Sequence, residues 1–127
     1  MSIGYITIGY NDEASAVAFY DAVLGALGYA RGPVEGGWAF YGLGDAPGVG
    51  LCKPFDGQAA RGANGGMTGF KTDIKGQVQA AYDAALGSGG TDEGAPGFRP
   101  PEATNGFYGA YVRDAAGNKL CIYTTVA

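Results

Sequence analysis

Hydrophobic and polar positions along the chain form the same pattern twice, and each copy is typical of an amphipathic helix. The segments AFYDAVLGALGY (18–29) and AAYDAALGSGGT (80–91) match with one constant offset in residue number. Apolar residues recur at helical spacing in both copies. In the first copy they are Ala16, Phe19, Tyr20, Val23 and Leu24, and in the second Val78, Ala81, Tyr82, Ala85 and Leu86. Each helix is expected to pack one face against a flat partner.

Signals for the ends of both helices also repeat. Asn11 and Asp73, which match with the same offset as the helices, are expected to cap the first backbone amides of each helix. Glycines follow both helices, where a left-handed residue commonly ends a helix. The paired glycines are Gly25 and Gly28 in the first copy, and Gly87 and Gly90 in the second.

Short apolar segments around the helices predict strands, so the flat partner is expected to be a sheet. YITIGY precedes the first helix and MTGFKT precedes the second. Later strand candidates are GGWAFYGLG and GVGLCKP in the first half, and NGFYGAYVRD and NKLCIYTTV in the second. Each half is therefore predicted to contain a strand, a helix and three strands. The expected fold class is α+β, with two βαβββ repeats.

A second repeat has a larger offset than the helices. DAPGVGLC (45–52) matches DAAGNKLC (114–121), and the difference between the two offsets predicts seven extra residues in the second half. The stretch GAPGFRPPEATNG (94–106) is the expected place for them. A single domain is predicted over residues 1–127, with repeat units at about 1–53 and 66–127. The segment FDGQAARGANGG between the units has the composition of a linker.

Composition narrows the classes of function. The chain has 127 residues, 46% of them hydrophobic, and a formal net charge of −4. The basic residues are scattered, so nucleic-acid binding is not expected. No apolar run reaches the roughly 20 residues that span a bilayer, and no signal peptide is visible, so no membrane partner and a cytoplasmic location are expected. Two cysteines are then expected to remain reduced.

The repeated unit and several motifs resemble the vicinal-oxygen-chelate superfamily, which includes glyoxalase I, extradiol dioxygenases and bleomycin-resistance proteins. The motifs are AFYDAVLGALGY, KPFDG, GGTDEGAPG and YVRDAAGNKL, which are similar to a bacterial glyoxalase-like group. The resemblance covers nearly the whole chain. It implies that the two repeats curl into a cup that holds a ligand, and that the protein forms a homodimer.

The resemblance also implies where a metal would bind in this fold. Metal-dependent members use one side chain from the first and one from the last strand of each unit, usually His or Glu. Carried over by position, these places are Tyr5, Cys52, Met67 and Cys121. The sequence contains no histidine, and this set does not suit metals that prefer imidazole and carboxylate ligands. We therefore expect no metal and no cofactor.

Three readings of these four positions remain open. The cysteines and methionine are expected to be small or adaptable side chains that pack the floor of the cup. Two thiolates and a thioether would alternatively suit Cu(I), or Zn²⁺ with a fourth ligand. A reactive thiol is the third reading, although the sequence assigns no base to it.

Aromatic residues on the predicted strands are candidates for the wall of the cup. They are Trp38, Tyr41, Tyr108 and Tyr123, which would suit a flat or partly apolar ligand. Packing between sheet and helix is the alternative for each ring. Arg99, in the inserted loop, is a candidate for contact with an anionic group, and Glu102 is the nearest acid.

The resemblance and the missing ligands together predict a metal-free glyoxalase-like protein. It would bind a small aromatic or apolar molecule and sequester, sense or transport it. The alternative is a lyase, isomerase or dioxygenase of the superfamily with unusual ligands, for which no catalytic residue is assigned. A third possibility is a filled cup, in a protein that acts only through dimer contacts.

Overall fold

The computed structural model describes residues 2–125 and contains two four-stranded sheets with one helix for each. The first half comprises β1 (Tyr5–Gly9), α1 (Glu13–Ala26), β2 (Ala30–Glu35), β3 (Trp38–Gly42) and β4 (Gly48–Cys52). The second half comprises β5 (Thr68–Lys71), α2 (Lys75–Gly87), β6 (Thr91–Phe98), β7 (Tyr108–Arg113) and β8 (Lys119–Thr124). The predicted α+β class and the two βαβββ repeats are confirmed. That the whole chain is one domain stays a prediction.

Both sheets have the same strand order. The first runs β1-β4-β3-β2 and the second β5-β8-β7-β6. In each sheet the strand before the helix pairs in parallel with the last strand of the repeat, and the other neighbours are antiparallel. A parallel pair needs a long crossover, and here the helix and two further strands provide it.

Strand pairing corrects the offset that the turn repeat suggested. Ile6 pairs with Val49, and Thr68, which matches Ile6 by the offset of the helices, pairs with Leu120. Val49 and Leu120 are therefore equivalent. By the same register, Cys121 is equivalent to Gly50 and not to Cys52. DAPG and DAAG are similar in sequence but lie two positions out of structural register.

The extra residues of the second half lie in one connection. Glu35 pairs with Trp38 across a turn of two residues, whereas the equivalent pair, Gly97 and Gly109, is separated by eleven. The insertion is therefore nine residues long instead of the predicted seven. It overlaps the proline- and glycine-rich stretch in which the sequence analysis placed it.

Details of the helix ends differ from the prediction. Asp12 caps α1, because its carboxylate accepts hydrogen bonds from the amide and hydroxyl of Ser15. The residue before α2 is Ile74, which has no capping side chain, and its amide donates to the Thr72 hydroxyl. Asn11 and Asp73 are thus not caps. Left-handed glycines follow both helices: Gly28, as predicted, and Gly89, one residue before the predicted Gly90. Gly25 and Gly87 lie within the helices.

The core lies between the helices and one face of each sheet. Helix α1 contributes its buried residues Phe19, Tyr20, Val23 and Leu24, and α2 contributes Val78, Ala81, Tyr82 and Ala85. Two hydrogen bonds also join the repeats. The Tyr20 hydroxyl donates to the Asp114 carboxylate at 2.6 Å, and the Asn118 side chain donates to the Gly9 carbonyl at 2.9 Å. The opposite face of each sheet carries no helix of its own repeat.

Within residues 2–125, neither helix has the length and apolar character needed to cross a membrane.

Candidate functional site

Side chains alternate between the two faces of each sheet, and burial identifies which face is which. On β3, Ala39 and Tyr41 are buried, whereas Trp38 and Phe40 are exposed. On β4, Val49 and Leu51 are buried in the core. The face of each sheet away from its helix is called the open face below. The first open face carries Tyr5, Trp38, Phe40, Gly50 and Cys52, and the second carries Met67, Tyr111, Lys119, Cys121 and Tyr123.

Exposed aromatic rings dominate the first open face. Trp38 and Phe40 stack with centroids 5.4 Å apart and an interplanar angle of 4°. Tyr5 meets Phe40 edge-on at 6.2 Å. The Phe40 ring lies against Gly50 of β4, where a Cβ would come within 2.7 Å of the ring. The rings therefore form an ordered apolar surface, although Trp38 is 40% and Phe40 46% exposed.

The linker after β4 runs beside this face and forms a groove of about 900 Å³. Sheet residues Thr7, Gly9, Trp38 and Cys52 line one side of the groove, and residues between Lys53 and Arg61 line the other. Asn11 anchors the linker, because its side-chain amide both donates to and accepts from the backbone of Ala60. Such a groove is large enough for a drug-sized molecule.

Two of the predicted wall residues face the helices instead of the cup. Tyr41 is buried, and its hydroxyl donates to the Asp21 carboxylate of α1 at 2.8 Å. Burial and this acceptor raise the pKa of Tyr41 above its usual value. Tyr108 packs against the core and against Phe98, with the Lys75 ammonium over its ring. Their predicted placement on the wall of the cup is wrong.

The second open face is built differently. Tyr123 points to this face and stacks with Phe107 at 4.9 Å. Cys121 is buried on it, opposite Tyr111 in the ladder of β7 and β8. Burial raises the pKa of the Cys121 thiol, and the Tyr111 hydroxyl and the charges of Arg99 and Lys119 lower it by less. The pKa of Cys121 is therefore raised overall.

Arg99 folds back from the inserted loop onto this same face. Its guanidinium lies 5.6 Å from the centroid of the Tyr111 ring. The Lys119 ammonium lies 5.5 Å from the same centroid. Two backbone carbonyls, those of Ala95 and Phe98, accept hydrogen bonds from Arg99. Arg99 is therefore half-buried and held against the sheet, whereas Glu102 is exposed on the inserted loop.

The four carried-over positions do not form a metal site. Tyr5 pairs with Gly48 and Cys52 with Gly9, at opposite ends of the same strand pair. The two pairs are four residue steps apart along the strands, which is roughly 13 Å. Cys121 lies on the other sheet, opposite Gly69. The donor set also lacks imidazole and carboxylate, so the residues present do not fit the divalent metal of the superfamily.

The two thiols lie on different sheets, Cys52 on β4 and Cys121 on β8. Both cysteines are free, and burial raises the pKa of each, so both are protonated near neutral pH. Across the described residues, 2–125, no cluster of three or more His, Cys, Asp or Glu side chains has a geometry that could hold a metal ion. The geometry thus favours the reading in which Cys52 and Cys121 pack the sheets.

Solved structures with the same architecture show which family the chain resembles. A glyoxalase/bleomycin resistance protein from Albidiferax ferrireducens T118 is 36% identical to the chain, with a TM-score of 0.87. The match covers 96% of this chain and 98% of that one. The chain belongs to the glyoxalase/bleomycin resistance protein family. The resemblance read from the sequence motifs is confirmed.

Two more distant members of the glyoxalase group show the same fold. A glyoxalase-related enzyme from Fulvimarina pelagi has a TM-score of 0.74 at 15% identity, covering 98% of this chain and 88% of that one. A glyoxalase/bleomycin resistance protein/dioxygenase family enzyme from Burkholderia phytofirmans PsJN has a TM-score of 0.72 at 18% identity, covering 98% and 99%. No protein-family model and no curated protein matches the chain.

The sequence analysis did not identify three residues of the open faces, Phe40, Tyr111 and Lys119. Phe40 and Tyr111 are equivalent in the two repeats, and each lies at the centre of its open face. Alternation on WAFYG could have identified Phe40, because Trp38 and Phe40 must share a face and Tyr41 must lie on the other. Lys119 had no comparable signal, because its contact with Tyr111 depends on the register between β7 and β8.

Proposed function

We propose that this family member binds a small molecule with a planar apolar part on its first open face. The stacked and exposed pair of Trp38 and Phe40 is the observation that carries the proposal. An exposed, ordered aromatic surface beside a groove is typical of ligand sites, because burial of apolar area drives binding. Trp38 already packs on Phe40, and Phe40 on Gly50, so we expect little side-chain entropy to be lost on binding.

The proposed role is sequestration, sensing or transport of the ligand without a metal. The residues at the metal positions of the superfamily do not fit a divalent ion, whereas the open face offers contacts that need none. A homodimer and a cytoplasmic location are part of the proposal and rest on the resemblance and on the sequence.

Trp38 provides a direct test, because it is the single tryptophan of the chain. A neutral planar probe, 2-naphthamide, is titrated into the protein in the presence of EDTA, and Trp38 fluorescence is followed. We expect saturable quenching. Phe40→Ala should weaken binding by about tenfold, since it removes one ring of the stacked pair.

Leu86→Ala is the matched control. Leu86 is exposed to a similar degree, 40%, but lies on α2 and away from both open faces. Its replacement should leave the affinity for 2-naphthamide unchanged. Absence of saturable quenching, or equal loss in both variants, would contradict binding at this face.

A further inference from the structure

Two cations converge on one ring of the second open face. The Arg99 guanidinium and the Lys119 ammonium both lie within 5.6 Å of the centre of the Tyr111 ring. Neither forms a salt bridge with any residue in the described range, 2–125. The two ion pairs found there involve Arg31 with Asp21 and Arg113 with Glu93. Arg99 and Lys119 thus concentrate positive charge at one place in a chain whose net charge is −4.

The local backbone is shaped around Arg99. A Cβ at Gly97 would lie 3.0 Å from its Nη1 atom, and one at Gly94 would lie 3.3 Å from its Nη2 atom. The carbonyls of Ala95 and Phe98 each accept one N–H, at 2.9 and 3.1 Å. Since arginine has five N–H donors, three are left for a ligand. The guanidinium is held in place without being neutralised.

The first repeat has no such charge at the equivalent place. Phe40 is equivalent to Tyr111 by strand register, and its ring neighbours are Trp38 and Tyr5. Arg99 belongs to the nine-residue insertion, which the first repeat lacks. The cationic character is therefore an addition to the second repeat and not a consequence of the repeated fold.

We propose that the second open face binds an anionic group of the ligand, a carboxylate or phosphoryl group, at the Tyr111 ring beside Arg99 and Lys119. This rests on the proposed function and narrows the ligand to a planar apolar molecule that carries a negative charge. Each cationic centre lies within 5.6 Å of the same ring centre, so both raise the electrostatic potential around that ring. Charge-assisted hydrogen bonds from a fixed arginine are among the stronger polar contacts a protein can offer.

The test compares two probes of the same shape, 2-naphthoate and 2-naphthamide, by NMR chemical-shift titration of the ¹⁵N-labelled protein. We expect the wild type to bind the carboxylate about tenfold more tightly than the amide. The difference should shrink as salt is added, because exposed charges are screened. Lys119→Gln and Arg99→Gln should each reduce naphthoate affinity about fivefold and leave naphthamide affinity unchanged.

Lys75→Gln is the matched control. Its ammonium also lies over aromatic rings, those of Phe98 and Tyr108, but on the helix-covered side of the same sheet. This variant has the same net charge as Lys119→Gln and should keep the wild-type preference. Arg99→Gln could loosen the inserted loop, because it removes hydrogen bonds to the loop backbone. Lys119→Gln controls for this effect, because it leaves those hydrogen bonds of Arg99 intact.

The possible failures are distinguishable. Equal affinities for the two probes in the wild type would reject the anionic site and leave the proposed aromatic site standing. A preference for naphthoate that persists in both Lys119→Gln and Arg99→Gln would reject these residues as its source. No binding of either probe would reject the proposed function and the anionic site together.

Discussion

At the scale of single residues, the absence of a side chain at Gly50 shapes the first open face. The ring of Phe40 occupies the space that a Cβ at Gly50 would need, and Trp38 stacks on that ring. The equivalent residue in the second repeat is Cys121, which is paired with Tyr111, and the ring of Tyr111 has Arg99 and Lys119 as neighbours. One small difference between equivalent strands thus contributes to two chemically distinct faces.

Tyr20 and Tyr82 are equivalent, and they offer a comparison within one molecule. The Tyr20 hydroxyl donates to Asp114 in the core, whereas Tyr82 donates to the exposed Asp92. Tyr20→Phe should lower the free energy of unfolding by about 1–2 kcal/mol, since a buried hydrogen bond between the repeats is lost. Tyr82→Phe should cost less, as measured by urea denaturation. Equal losses would contradict a special role for the buried pair.

Buried tyrosines also predict how stability depends on pH. Burial and the nearby Asp114 carboxylate raise the pKa of Tyr20 well above its usual value, and burial and Asp21 raise that of Tyr41. The folded protein therefore retains protons that the unfolded chain loses above about pH 10, so the free energy of unfolding should fall as pH rises past that point. Absorbance at 295 nm should show fewer ionised tyrosines at pH 11 in folded than in unfolded protein. Coincident titration curves would contradict this.

At the scale of elements, the repeats could be predicted from the sequence because helical periodicity and the constant offset between the helices are local signals. The register of the last strands could not, since DAPG and DAAG lie in equivalent loops but two positions out of step. Only the pairing of Ile6 with Val49, and of Thr68 with Leu120, shows that Gly50 and Cys121 correspond. Strand register depends on contacts between residues far apart in the sequence. A register error of two residues leaves each side chain on the correct face of the sheet but at the wrong position along the strand.

The linker between the repeats is also an element with a specific anchor. Asn11 holds Ala60 through two hydrogen bonds at 3.0 and 2.7 Å. Asn11→Ala should leave the fold intact but increase hydrogen exchange of the Ala60 amide, because that amide loses its acceptor. Asn64→Ala, an exposed position in the same linker, is the control and should have no effect on Ala60. Unchanged exchange at Ala60 in Asn11→Ala would contradict the anchor.

At the scale of the whole molecule, the two repeats are joined on the side of the turns and helices. Tyr20 reaches Asp114, and Asn118 reaches Gly9, so polar contacts between repeats lie near α1 and the β7–β8 turn. This arrangement leaves both open faces free of helices: the first carries the stacked pair of Trp38 and Phe40, and the second carries aromatic rings together with Arg99 and Lys119. The sequence could indicate that such faces exist, but not their contrast, because Phe40, Tyr111 and Lys119 acquire their neighbours only through strand pairing.

The central claim is that the first open face binds a planar molecule without a metal. An NMR titration tests it most directly. Amide shifts of the ¹⁵N-labelled protein are mapped during titration with 2-naphthamide in EDTA. The account predicts saturable shifts centred on Trp38, Phe40 and Gly50, and little change along α1 and α2. Shifts confined to the helices, or no saturable shifts at all, would contradict it.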